Sequence, residues 1–224
     1  MAMIKIDNLT KSIRGTEILK DITISMDKGR ITGLVGPNGS GKTMLMRAIV
    51  GLMRPSKGSI TLHGWNPYGP SKQEAARPSI GMLLEGPAFV DGLSGLENLK
   101  MLASIRGTAQ EDDLIGALSS IGLDPKDKRK YRSYSLGMKQ RLGLACAVME
   151  HPDILVVDEP TNALDVTGVR LAVDIIKQEA LRGATVVVAC HDASIMSELA
   201  HEVWHLAEGH LEGHDVLDRE GGEQ

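Results

Sequence analysis

An α/β fold with a helical insertion is predicted by three features of the 224-residue sequence. Short apolar runs alternate with helical segments toward both ends of the chain, the pattern of a parallel sheet covered by helices. A glycine-rich stretch, "GPNGSGKT" at 36–43, stands between one such run and a helix. From 94 to 149, by contrast, apolar residues recur three and four apart, as on amphipathic helices. The expected organisation is one domain over 1–224, with an α/β core from 1–84 and 150–224 that carries antiparallel strands on its flank. A helical lobe over 85–149 interrupts it.

The elements follow in order. Residues 3–9 and 18–27 read as strands, the second with alternating apolar positions. "RITGLVG" (30–36) is a β-rich run entering glycines, and 42–53 is helical, ending near Gly51 and Pro55. A strand at 58–64, a turn-rich stretch "WNPYGPSKQ" and a strand at 79–85 come next. Helices are expected over 94–107, 111–123 and 137–150, the last two joined by the polar link "DPKDKRKYRSYS". Strand 153–159, a helix over 167–182, strand 184–190 and a short helix from Ala193 complete the alternation. The tail "DREGGEQ" has too few apolar residues to order itself and is expected to be disordered.

Composition limits the function. With 42% hydrophobic and only 3% aromatic residues, Leu, Ile, Val, Ala and Met must fill the core. A net charge of −4 argues against a protein that coats nucleic acid, so no direct nucleic-acid partner is expected. The basic run 126–132 reads as a solvated loop, with contact to an acidic partner as the sharper alternative. Cys146 and Cys190 lie in apolar sequence and suggest small buried hydrophobes rather than a disulfide or a zinc site. No apolar run approaches the ~18 residues that cross a bilayer, and "MAMIKIDNLTK" has no signal-peptide core. A cytoplasmic chain is expected, reaching a membrane only through a partner.

Two stretches compete for the chemistry. "HEVWH" at 201–205 matches the zinc-protease pattern H-E-x-x-H, which chelates metal only on a helix, where i and i+4 share a face. Here "EVWHLAEGHLEGHDV" alternates around a Glu-Gly turn at 208–209, as a hairpin does. On a strand the two histidines stand roughly 13 Å apart, too far for one zinc ion. The longer form of the motif is also out of register, needing glycine at Glu208 and histidine at Leu211. These histidines are expected to be surface residues on a terminal hairpin.

The glycine-rich stretch survives the same scrutiny. Gly36, Pro37, Asn38, Gly39, Ser40, Gly41, Lys42 and Thr43 satisfy G-x-x-x-x-G-K-[ST] without mismatch, after a strand and before a helix. Its backbone N–H groups can converge on phosphate oxygens at a helix N-terminus. Lys42 would reach the β- and γ-phosphates, and the Thr43 hydroxyl would ligate Mg²⁺. The strand "ILVVDE" adds Asp158 as a partner of Mg²⁺ and Glu159 as the group that polarises an attacking water. The cofactors expected are therefore ATP and Mg²⁺.

Between these elements lies "YSLGMKQRL" (134–142), and after them "NALD" (162–165) and His191 in "VVVACHD". This order resembles the nucleotide-binding subunits of ABC transporters, over essentially the whole chain. The resemblance implies a P-loop NTPase with a RecA-like core. "YSLGMKQR" is similar to the family signature: Ser135 and Gly137 match, whereas Leu136 and Met138 depart. By that resemblance Ser135, Gly137, Met138 and Gln140 serve the nucleotide of an opposite subunit. Asn162, Ala163, Leu164 and Asp165 resemble the D-loop, Glu159 the catalytic glutamate, and His191 the switch histidine. The implied unit is a head-to-tail dimer, either a homodimer or a pair with another ABC subunit, acting on an integral-membrane permease from the inner face of the cell membrane.

Two departures stand out. Where many relatives stack an aromatic on adenine, the sequence has Ile13; where they carry a Q-loop glutamine, it has Glu85. Glu85 is expected to act at the catalytic site and as a ligand of the metal. With "YSLGMKQR" it resembles the branch of bacitracin-type and lantibiotic-immunity exporters, which favours export of a peptide antibiotic or drug. The alternative is a non-transport ABC ATPase in nucleic-acid or translation mechanics, which would be expected to carry a basic arm or a long coiled-coil insert.

Overall fold

The computed structural model describes residues 2–70 and 77–217. Part of the turn-rich stretch and the whole "DREGGEQ" tail lie outside these residues. Strands β1 (Ala2–Ile13), β2 (Thr16–Asp27) and β4 (Lys57–Leu62) form an antiparallel sheet in the order β2-β1-β4. β1 and β2 run twelve residues each, longer than their apolar runs, because the pair passes through several register shifts before turning at Arg14-Gly15. Both turn residues have positive φ, and the glycine takes its value without steric cost.

The second sheet has the order β5-β6-β7-β3-β8-β9, built from β3 (Ile31–Val35), β5 (Ile80–Leu83), β6 (Ile154–Asp158), β7 (Thr185–Ala189), β8 (Glu202–Ala207) and β9 (His210–Val216). All neighbours are parallel except the β8–β9 hairpin at one edge. A strand covered on both faces must be apolar on both, which explains why "ILVV" and "TVVVA" do not alternate. Leu155, Val157, Val186 and Val188 enter one core, and Ile154, Val156, Val187 and Ala189 the other.

Helix α1 (Lys42–Ile49) packs beneath the antiparallel sheet and stops before Gly51, earlier than its apolar run. Helices α2 (Gly95–Arg106), α3 (Glu111–Ser120) and α4 (Leu136–Val148) are inserted between β5 and β6. They share one apolar core with a face of the sheet: Leu99, Leu114, Leu118 and Leu142 cluster with Leu155 and Val186. The first is fixed by a capping box in which Ser94 and Glu97 satisfy each other's backbone N–H groups. Buried Asn98 then ties the preceding loop to it through Val90, Leu93 and Ser94. Helices α5 (Val166–Arg182) and α6 (Ala193–Leu199) complete the alternation. Among the described residues no helix is long and apolar enough to cross a membrane.

Candidate functional site

Parallel strands deliver their C-terminal ends to one edge, and ligands gather there. β3 opens into the glycine-rich loop at that edge, while β6 and β7 pair Asp158 with Ala189, which sets Glu159 beside the segment leading to His191. A cleft of about 550 Å³ lies over these ends. Its walls include 38–44, Glu85, Leu136, Gln140, Asp158, Glu159, Asn162 and Ala163.

The loop tolerates no side chain where it bends. A Cβ on Gly36 would stand 2.0 Å from the Leu206 carbonyl, and one on Gly41 2.7 Å from Leu19. Gly41 has φ 108 and forms the N-cap of α1. Lys42 Nζ donates to the carbonyls of Gly36 at 2.7 Å and Pro37 at 3.0 Å, so the amine is held over the loop that would carry phosphates. The Ser40 hydroxyl is buried and has no hydrogen-bond partner among the described residues. An orphaned polar group costs free energy, and a phosphate oxygen would satisfy it.

Thr43 Oγ1 donates to Asp158 Oδ2 at 2.5 Å. Burial pushes the Asp158 carboxyl above the usual carboxylate range, and the charges of Glu159 and Glu85 add to this against the pull of Thr43 and Lys42. This carboxylate is short of positive charge. With the Thr43 hydroxyl it supplies two hard oxygens, and Mg²⁺ normally takes its remaining ligands from water and phosphates. The residues present therefore fit Mg²⁺.

Glu159 is held in the left-handed region at φ 49, an uncommon state for a residue with a side chain. Its N–H donates to the Ala189 carbonyl at 2.8 Å, and its own carbonyl accepts from Gln140 Nε2 at 2.9 Å and Asn162 N–H at 3.1 Å. Thus fixed, its Oε2 lies 2.7 Å from His191 Nδ1. A carboxylate with an orienting imidazole can accept a proton from a positioned water.

Ser135 caps α4 by accepting from Met138 N–H at 3.2 Å, which leaves its hydroxyl proton for another acceptor. Gly137 is required by contact, since a Cβ there would lie 2.9 Å from the Ala163 carbonyl. Asp165 caps α5 through Gly168 N–H at 2.8 Å and accepts from Arg141 at 2.6 Å. The Gly168 N–H, with Arg141, holds the Asp165 carboxyl below the usual range. Leu164 packs against the core. The signature-like helix and the D-loop-like segment are thereby joined into one unit.

The structure places several of the expected residues as follows. Gln140, which the resemblance assigns to an opposite subunit's nucleotide, turns its amide inward to the Glu159 carbonyl and is buried. Ile13 sits at the end of the β1–β2 hairpin and is absent from the cleft wall; Ile18 of the same hairpin is on it. Glu85 is on the wall at φ 61, with its carboxylate accepting from Arg47 Nη2 at 2.5 Å rather than meeting Thr43 or Asp158. His201, expected at the surface, is partly buried and accepts from Ile31 N–H at 2.9 Å.

The zinc-like stretch runs along β8 of the β8–β9 hairpin. Its turn does something the sequence did not reveal. Gly209 N–H donates to the Ser40 carbonyl at 3.1 Å, and its own carbonyl accepts from Lys20 N–H at 2.8 Å. The turn braces the phosphate loop against β2. Gly209 has φ 82, and a Cβ would lie 2.4 Å from the Ile18 carbonyl. Gly209→Ala is expected to cost about 1–3 kcal/mol of stability and to weaken nucleotide binding with it. Thermal melts and nucleotide titration check this; an unchanged melting temperature and affinity would show that the brace is dispensable.

Comparisons with known proteins bear on the chain as a whole. A family model described as ABC transporter matches residues 19–162. The uncharacterized ABC transporter ATP-binding protein YybJ of Bacillus subtilis (strain 168) is 41% identical over 210 residues, covering 94% of this chain and 95% of that protein. The bacitracin transport ATP-binding protein BcrA of Enterococcus faecalis is 36% identical over 210 residues, covering 93% and 68%. A dimeric ATP-binding cassette in a post-hydrolysis state, bound to ADP and Pi, superposes with a TM-score of 0.85 at 26% identity, covering 96% of this chain and 99% of that one.

Proposed function

Because the chain belongs to the ABC transporter family as an ATP-binding subunit, we propose that two such subunits close head to tail on ATP and drive a membrane permease that exports a peptide antibiotic or drug. Each site would join the phosphate loop, Asp158, Glu159 and His191 of one subunit to Ser135 and Gly137 of the other. The observation that carries this reading is the Glu159–His191 pair at 2.7 Å, on the same cleft as Lys42 and the Thr43–Asp158 pair.

In this mechanism Lys42 leaves the Gly36 and Pro37 carbonyls for the phosphates, and the loop N–H groups hold the triphosphate in line. Thr43 and Asp158 would hold Mg²⁺, which when bound supplies charge to the phosphate oxygens. Glu159 orients the water and takes its proton, and His191 keeps the carboxylate turned toward it. Similarity to a bacitracin transport ATP-binding protein supports a peptide antibiotic as the cargo class. The subunit would sit on the inner face of the cell membrane through its permease.

The test is capture of the tagged chain from solubilised membranes. A polytopic membrane protein should accompany it and change its ATPase rate. Recovery with ribosomes or nucleic acid, and with no membrane protein, would overturn the transport reading.

Ile13 also belongs to this reading, as an apolar contact for adenine. Stacking a base on an aromatic contributes on the order of 1–3 kcal/mol, so Ile13→Tyr is expected to tighten ATP binding severalfold and leave inorganic triphosphate unaffected. Unchanged ATP affinity in a folded variant would pass the base contact to Ile18, which is already on the wall.

A further inference from the structure

The rim of the cleft carries an ion pair that the mechanism above does not use. Arg47 follows Thr43 by one turn of α1, so the two side chains share a helix face. Its guanidinium reaches across to Glu85, just past the end of β5. Three carboxylates, Asp158, Glu159 and Glu85, line the cleft that would receive a polyanionic triphosphate. Lys42 is held over the phosphate loop, so the Arg47 guanidinium is the counterion that Glu85 contacts.

The pair is poorly suited to a purely structural task. The Arg47 side chain is 35% exposed and that of Glu85 64%, and pairs this open to water add little to stability. Glu85 is in the left-handed region at φ 61, and a Cβ on Gly86 would meet nothing within 4 Å. Glu85 and Gly86 stand open to solvent, just ahead of Pro87, whose carbonyl accepts from the Tyr131 hydroxyl. An ion pair that is cheap to break, next to the Thr43–Asp158 oxygens, is suited to exchange.

We infer that Arg47 is a positioning residue that neutralises Glu85 and holds it off the Thr43–Asp158 pair until magnesium nucleotide arrives. Glu85 then trades one counterion for another. This rests on reading the cleft as the Mg²⁺–ATP site. In free protein the guanidinium keeps a third carboxylate from repelling the triphosphate. In the loaded protein the guanidinium is released from Glu85.

Binding of ATP to the full chain, measured by calorimetry in EDTA and again across a titration of free Mg²⁺, tests this. For Arg47→Gln the metal-free affinity should fall about fivefold, and the free Mg²⁺ needed for half of the affinity gain should also fall about fivefold. Arg47→Lys should retain most of the parent behaviour. In Arg47→Gln combined with Glu85→Gln both shifts should vanish relative to Glu85→Gln alone. Arg47→Met, which keeps the aliphatic stem, serves if the glutamine variant does not fold. The inference is overturned if neither quantity moves, or if the metal-free loss persists in the double variant, since Arg47 would then act on the phosphates directly. Failure of the underlying reading looks different: Lys42→Ala would bind ATP like the parent.

Discussion

Glu159→Gln is expected to bind ATP like the parent chain and to hydrolyse it roughly 10²-fold or more slowly. The substitution keeps the volume of the side chain and leaves the Ala189, Gln140 and Asn162 backbone contacts in place. What it removes is the charge and the basicity of the oxygen facing His191 at 2.7 Å. The phosphate loop is untouched, so binding survives while proton removal from water does not. ATP that is bound and not consumed should hold two subunits together, and the variant should accumulate as an ATP-dependent dimer. Steady-state ATPase rates and light scattering check both halves. Parent-like turnover would remove Glu159 from the mechanism.

Lys42→Ala is expected to act one step earlier, on binding itself. The amine lies over the Gly36 and Pro37 carbonyls, and moving it to a phosphate exchanges neutral acceptors for charged ones. Hydrogen bonds to charged groups contribute about 1.5–3 kcal/mol each, so losing one or two weakens ATP binding by roughly 10- to 100-fold or more. A second effect has the same sign. Lys42 is the positive charge that favours ionised Asp158, and without it the carboxylates of the cleft face the triphosphate and Mg²⁺ with less compensation. Titration with ATP, with and without the metal, separates the two contributions; undiminished binding in both would contradict the assignment of the loop.

Much of this was legible because the informative residues are neighbours in sequence. The loop 36–43, the end of "ILVVDE" and the signature-like "YSLGMKQR" carry their chemistry in local spacing, and the backbone delivers them as that spacing predicts. Hidden features depend on contacts between distant segments. Nothing around Gly209 says that its N–H will meet the Ser40 carbonyl, and nothing around Arg47 says that Glu85 will lie opposite. Gln140 shows the same limit in reverse. Its place one turn into α4 fits an outward donor, and only the bend at Glu159 offers it a carbonyl inside. The order of the parallel strands was likewise out of reach, since periodicity reports which face of a strand is buried but not which strand lies beside it.

The central claim is that each ATP site is shared, with the phosphate loop of one subunit meeting Ser135 and Gly137 of the other. Mixing two damaged chains tests it most directly. Lys42→Ala disables the loop and spares the signature; Ser135→Arg blocks the signature and spares the loop. Neither variant should hydrolyse ATP alone. In a mixed head-to-tail dimer one site is doubly damaged and the other contains an intact loop facing an intact Ser135. ATPase activity should therefore appear on mixing and rise with the fraction of mixed dimer, and a mixture as inactive as its two components, despite forming dimers, would contradict the shared site.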